Sequence, residues 1–265
     1  MAFERELDLA RSLGQRAGQL ALEYQRSGVA VEDKPDDSPV TVADRECEKL
    51  IAGEILRAFP DDGLLGEEGS SRAGVSGRRW IIDPIDGTRD YVRGNRLWCN
   101  LIALEVRGIV ELGVCTFPAL GESYWAARGA GAWRSLDGAT ARIHCSAIDN
   151  ASRAVLCANG LQNTLKKPHS EKILRFFAQF WTVRSLGGAL DAMHTCAGHA
   201  DFWLEFSAKP WDLAAIQVIA QEAGLCYFDY TGADTIYGGN AVLCVPALLP
   251  VAREFLELPG DRLDC

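Results

Sequence analysis

The chain lacks most of the features that would assign it quickly. No apolar run is long enough to span a bilayer, so no membrane-spanning helix is expected. Met1-Ala2-Phe3-Glu4-Arg5-Glu6 has no basic region leading to an apolar one, so no signal peptide is expected. Histidines number only 4, and neither an H-E-x-x-H helix nor a C-x-x-C pair occurs, which removes the commonest zinc and redox signatures. His194 and His199 stand five apart and read as structural. Excess positive charge is also missing: at a net charge of -9, neither nucleic acid nor an anionic membrane is an expected partner. Repeats and low-complexity segments are absent.

The 265 residues include 48% hydrophobic ones, enough for a sizeable core in a two-part α/β or α+β chain. The 9 cysteines are scattered and odd in number, which reads as reduced thiols in a cytoplasmic protein. Helical spacing of Phe3, Leu7, Ala10, Ala17, Ala21 and Tyr24 predicts a first helix. A polar loop over 27–39 follows, long enough to act as a flap. A second helix opens at Thr41-Val42-Ala43-Asp44 and ends before Pro60. Short apolar runs over 99–106, 109–116, 122–127 and 131–134 predict successive antiparallel strands. From about Ser152 strands and helices alternate, so the division is an α+β half over 1–150 and an α/β half over 151–265.

The informative stretch is Trp80-Ile81-Ile82-Asp83-Pro84-Ile85-Asp86-Gly87-Thr88, read as a buried strand broken at the proline. Two carboxylates three residues apart, beyond a strand end, suit a hard cation such as Mg²⁺. Gly87 lets the backbone approach a ligand, and a helix starting at Thr88 offers free amides to an anion. Asp, Pro and Gly are equally the residues of a surface turn. Other acids have simple structural readings too. Thr41 and Asp44 have capping-box spacing, Asp212 suits the first turn of a helix, and Glu67-Glu68 alone would be solvated surface.

Asp-Pro-Ile-Asp-Gly-Thr at 83–88, with Gly66-Glu67-Glu68 upstream and Pro210-Trp211-Asp212 downstream, resembles the signature of the inositol monophosphatase superfamily of metal-dependent phosphomonoesterases. The likeness runs nearly the whole chain and includes the pattern S-x-V-T-x-x-D at Ser38 to Asp44. It implies a layered αβαβα sandwich of the inositol monophosphatase and fructose-1,6-bisphosphatase type, a homodimer, a small phosphate ester as substrate, sensitivity to lithium, and two to three Mg²⁺ ions. By resemblance, one metal takes Glu67, Asp83 and the carbonyl of Ile85; a second takes Asp83, Asp86 and Asp212; a third sits by Glu67. Thr88 paired with Asp44 would orient and deprotonate the attacking water, Glu68 would support the site, and the Gly87 and Thr88 amides would hold phosphate. Arg184 and Glu205 match positions facing the alcohol portion.

Asp37 to Thr41, Phe59 to Glu68, and Ala197 to Asp201 followed by Lys209-Pro210-Trp211-Asp212 lean toward the histidinol-phosphatase branch. Departures are Gly187-Gly188, where that branch commonly has an Asp after the glycine, and Arg89-Asp90-Tyr91 in place of Lys-Ser-Phe. Histidinol phosphate ranks first and inositol monophosphate next. A non-catalytic regulator retaining the fold is the alternative of a different class; nucleotide 3′-phosphate and fructose bisphosphate rank lower for want of an extra basic recognition loop.

Overall fold

The computed structural model describes residues 3–28, 31–33, 39–167 and 169–259. In chain order the first half comprises α1 (Glu4–Ser27), β1 (Val31–Asp33), β2 (Pro39–Thr41), α2 (Val42–Ala58), β3 (Gly63–Gly66), β4 (Ser71–Arg72), β5 (Arg78–Asp86), α3 (Thr88–Val92), β6 (Cys99–Val106), β7 (Ile109–Phe117), β8 (Glu122–Ala127), β9 (Ala132–Leu136) and β10 (Ala139–Ile143). The second comprises β11 (Val155–Asn159), α4 (Ile173–Phe177), β12 (Thr182–Arg184), α5 (Gly188–Cys196), β13 (Phe202–Glu205), α6 (Pro210–Glu222), β14 (Cys226–Phe228), β15 (Ala241–Cys244) and α7 (Leu249–Leu256). The boundary set at residue 150 falls between β10 and β11.

Eight strands form one sheet in the order β10-β9-β8-β7-β6-β5-β3-β4, and five form a second in the order β12-β11-β13-β15-β14. Alternation along the strands divides the first sheet's faces. Trp80, Ile82, Ile102, Leu104, Leu112 and Val114 join the apolar residues of α1 and α2. Ile81, Leu101, Ala103 and Cys115 join α5, α6 and the second sheet in the larger core. On the far side of that sheet Phe176 of α4 stacks on Phe255 of α7 at 4.0 Å and meets Phe202 of β13 edge-on. The layers are therefore helix, sheet, helix, sheet, helix, the sandwich that the resemblance implies.

Several local expectations are corrected. β5 does not stop at the proline; it continues to Asp86, with a register shift between Asp83 and Asp86 against β6. Pro84 has no N–H to give the ladder, so the strand bulges there, and the Asn100 amide takes its carbonyl. Within the polar loop over 27–39, Val31–Asp33 pairs antiparallel with Pro39–Thr41; residues 29, 30 and 34–38 of the expected flap, including Ser38 of the matched pattern, lie outside the described residues. The exposed connection after Ser70 contains β4, paired with β3, and β10 was not foreseen. Cys226 is disulfide-bonded, whereas Cys47, Cys99, Cys115, Cys145, Cys157, Cys196 and Cys244 are free. The all-reduced reading fails at Cys226 because spacing along a chain does not reveal which sulfurs meet in space. Among the described residues no helix is long and apolar enough to cross a membrane.

The middle helix layer lies very close to the first sheet. A Cβ built on Gly113 of β7 would stand 2.6 Å from the Cα of Ala215 in α6. Gly113→Val should therefore separate sheet and helix and destabilise the fold by about 1–3 kcal/mol, measured as a shift of the urea midpoint at unchanged m-value.

Candidate active site

The site is a cleft of about 770 Å³ where the ends of β3, β5, β11 and β13 meet the first turns of α3 and α6. Glu67, Asp83, Ile85, Asp86, Gly87, Thr88, Glu205 and Asp212 all line it. Oxygen atoms of Asp83, Asp86 and Asp212 come within 4.8 Å of one another, although Asp212 is 126 residues beyond Asp86 in the chain, the difference of their sequence numbers. The Glu67 charge bears on Asp83 and helps raise its pKa.

The bulge in β5 aims these groups. Asp83, 1% exposed, accepts the Ile85 amide at 3.0 Å, while Thr88 Oγ1 donates to the Ile85 carbonyl at 3.1 Å. Gly87 then turns the chain into α3 with φ of 85°, a left-handed conformation, and a Cβ there would sit 3.1 Å from the Leu97 carbonyl. Asp86 accepts the Ala189 amide at 3.4 Å. Asp212 accepts the Lys209 amide at 2.7 Å, so its structural role at the start of α6 coexists with a place in the cluster.

Electrostatically the cluster is unfavourable as it stands. Burial, with Glu67, Asp86 and Asp212 nearby, pushes Asp83 well above the ordinary carboxylate range. Burial pushes Asp86 up to about 6, and burial together with the Asp86 charge pushes Asp212 well up. Asp44 is fully buried: its Oδ2 accepts the Thr41 amide at 2.8 Å and hydroxyl at 2.6 Å in the foreseen capping box, and burial followed by the Glu67 charge raises its pKa. Its Oδ1 is buried without a hydrogen-bond partner. An all-oxygen donor set, repelling itself and holding an orphaned buried oxygen nearby, fits a hard divalent cation.

The profile of the inositol monophosphatase family matches residues 4–256. The chain belongs to the inositol monophosphatase family. It is 41% identical over 257 residues to a histidinol-phosphatase of Chlorobaculum parvum, covering 97% of each chain. A histidinol-phosphatase of Mycobacterium tuberculosis is 36% identical over 239 residues, 89% of this chain and 92% of that protein. Among solved structures, the extragenic suppressor protein suhB of Bartonella henselae superposes with a TM-score of 0.85 at 28% identity, covering 96% of this chain and 99% of that one. As a member of the inositol monophosphatase family the chain is a phosphoric monoester hydrolase.

Two expectations taken from the family are not met by the geometry. Thr88 and Asp44 do not pair here: the Thr88 hydroxyl is engaged by Ile85 and the Asp44 Oδ2 by Thr41. Arg184 is exposed, bonds to Thr182 and to the Val183 carbonyl, and does not line the cleft, because β12 is the outermost strand of its sheet. Glu205 is on the cleft wall, 4% exposed, accepting Asn159 Nδ2 at 2.6 Å and the Ser207 amide at 3.1 Å.

Sequence reasoning overlooked Asn159, Gln162 and Asn163, which also line the cleft. Asn159 had a usable signal, a polar residue ending an apolar strand; parallel register sets it directly beside Glu205. Glu48, buried on α2 one turn after Asp44, was missed as well.

The raised carboxyl pKa values fix a sign for the cation-free protein. Folded, these acids hold protons more tightly than when unfolded, so their contribution is complete below about pH 4 and is lost as pH rises through about 6. Mg²⁺ should raise Tm by several degrees at about pH 7.5, and the gain should shrink steadily below about pH 5, as followed by calorimetry.

Proposed function

We propose that this phosphatase hydrolyses L-histidinol phosphate with Mg²⁺ as its cofactor. The observation that carries the reading is the cleft itself: the Asp83, Asp86 and Asp212 cluster shares it with a buried carboxylate, Glu205. Burial pushes Glu205 up to about 7, so a cationic group is the neighbour that would restore its charge. Histidinol phosphate carries an amine next to its phosphate-bearing carbon; inositol monophosphate carries only hydroxyls. Identity to two histidinol-phosphatases over most of both chains supports the same choice.

Glu67, Asp83, Asp86, Asp212 and the Ile85 carbonyl are the groups proposed to hold the metal. A divalent cation bound there supplies neutralisation of the phosphoryl oxygens and a water of lowered pKa. The chain's own contributions are positional. The free amides of Gly87 and Thr88 are proposed to bind phosphate, Asp86, Asp212 and Glu205 to orient the ester, and Thr88 with Asp44 to accept a proton from the attacking water. For the last step Thr88 Oγ1 must leave the Ile85 carbonyl and turn toward Asp44, whose free Oδ1 is the available acceptor. No serine or cysteine nucleophile is required. Cys99 Sγ, 3.8 Å from Asp86, is buried and its thiol is held well above its usual pKa, unlike a reactive thiolate. The homodimer, the lithium sensitivity and the cytoplasmic location belong to the same proposal.

The test is phosphate release from histidinol phosphate and inositol 1-phosphate, with and without Mg²⁺. Faster Mg²⁺-dependent release from histidinol phosphate is expected; preference for the inositol ester would reverse the substrate assignment, and no release from either would favour the non-catalytic reading. Asp86→Asn should lower kcat by about 10³-fold or more, about 4 kcal/mol in the barrier, with unchanged circular dichroism. Glu205→Gln keeps an acceptor but removes the charge. It should raise KM for histidinol phosphate about tenfold while shifting inositol 1-phosphate less than about twofold.

A further inference from the structure

The Glu67 turn is held from behind by the side chain of Glu48. Glu48 of α2 is 2% exposed, and its carboxylate accepts two backbone amides of the turn after β3: Glu68 N to Oε2 and Ser70 N to Oε1, each at 2.7 Å. Two further backbone bonds of the turn run from Gly66 N to the Ser70 carbonyl at 2.9 Å and from Glu67 N to the Ile82 carbonyl at 3.1 Å. Gly66 leaves room for this arrangement, since a Cβ on it would stand 2.5 Å from the Glu48 carboxyl. A buried carboxylate would be expensive without partners, and here two charge-assisted bonds satisfy it. Both its oxygens point at one turn, and that turn carries Glu67.

Glu48 follows Asp44 by one helical turn, on the same buried face of α2. The helix thus touches the metal-binding region through both residues, and the Thr41 and Asp44 capping box fixes where it starts. We propose that Glu48 is a positioning residue for metal binding: its two-point clamp on the Glu68 and Ser70 amides sets the place of Glu67 beside Asp83. The proposal rests on the metal reading above. The clamp does not touch the cleft wall at Glu205, so its loss should weaken the cation and leave recognition of the alcohol intact.

The experiment titrates Mn²⁺ into the purified, cation-free protein by calorimetry, and Mg²⁺ into the phosphatase assay, for wild type, Glu48→Gln and Gly66→Ala. Glu48→Gln replaces one acceptor oxygen by an NH₂ that faces a backbone N–H. Gly66→Ala displaces the carboxylate while keeping its charge. Both should weaken Mn²⁺ binding and raise the half-saturating Mg²⁺ concentration about tenfold or more, with KM for the ester at saturating Mg²⁺ within about threefold of wild type. Mn²⁺ affinity within about twofold of wild type in both variants would overturn the proposal, as would lost activity at saturating Mg²⁺ with an unmoved midpoint. Failure of both variants to fold would also overturn it, in favour of a purely structural role. If wild type itself binds no Mn²⁺, the metal reading fails instead, which separates the two outcomes.

Discussion

Mutual repulsion among carboxylates is the constraint on which this structure turns. Asp83 and Asp86 arrive on one strand, Asp212 on a helix from the other half of the chain, and their oxygens nonetheless stand within 4.8 Å. In a partly dry cleft such charges are compatible only if they take up protons or share a cation. The raised pKa values of Asp83, Asp86 and Asp212 report the first option for the bare chain, and the oxygen-only donor set suits the second. Folding energy from the surrounding core holds the acids together; their own interactions oppose it.

The sandwich supplies that rigidity. β5 lies inside the first sheet, bonded to β3 as far as Ile82 and to β6 on either side of the bulge, so the strand that leads into Pro84 is held from both edges. α6 packs against β5 to β8 and also against β14, and it is buried on every side from Leu213 to Ala220. A helix clamped between two sheets has no solvent face, which explains why it reads as apolar without a clear polar stripe. Its N-terminus opens on the cleft, so a small change in the spacing of sheet and helix moves Asp212 relative to Asp86. Packing far from the chemistry thereby sets the geometry of the site.

Two halves of one cleft have different origins. The phosphate side comes from a continuous segment, 83–88, whose bulge, left-handed glycine and short helix follow one another locally. The alcohol side is assembled across the second sheet, where parallel pairing sets Asn159 of β11 beside Glu205 of β13. Cleft residues Gln162 and Asn163 come from the 3₁₀ segment after β11.

The local periods of the chain announced most elements: α1, α2, β6 to β9, α5 and α6 were visible in helical or strand spacing, and the acids at 67, 83, 86 and 212 in a motif. Local chemistry also determined the Thr41 and Asp44 capping box, because its bonds close within one helical turn. What spacing could not reveal were relations between distant segments. Arg184 moved out of the site because β12 became a sheet edge, and Thr88 met Ile85 before Asp44. Glu48 became the support of a turn some 20 residues on, the separation recorded for its bond to the Glu68 amide. The sequence by itself determined which residues could carry the charge and where most of the helices and strands would lie. Only the tertiary structure decided which carboxylates share a pocket and which merely hold it in place, since that depends on how sheets and helices stack, a matter of packing between residues far apart in the chain.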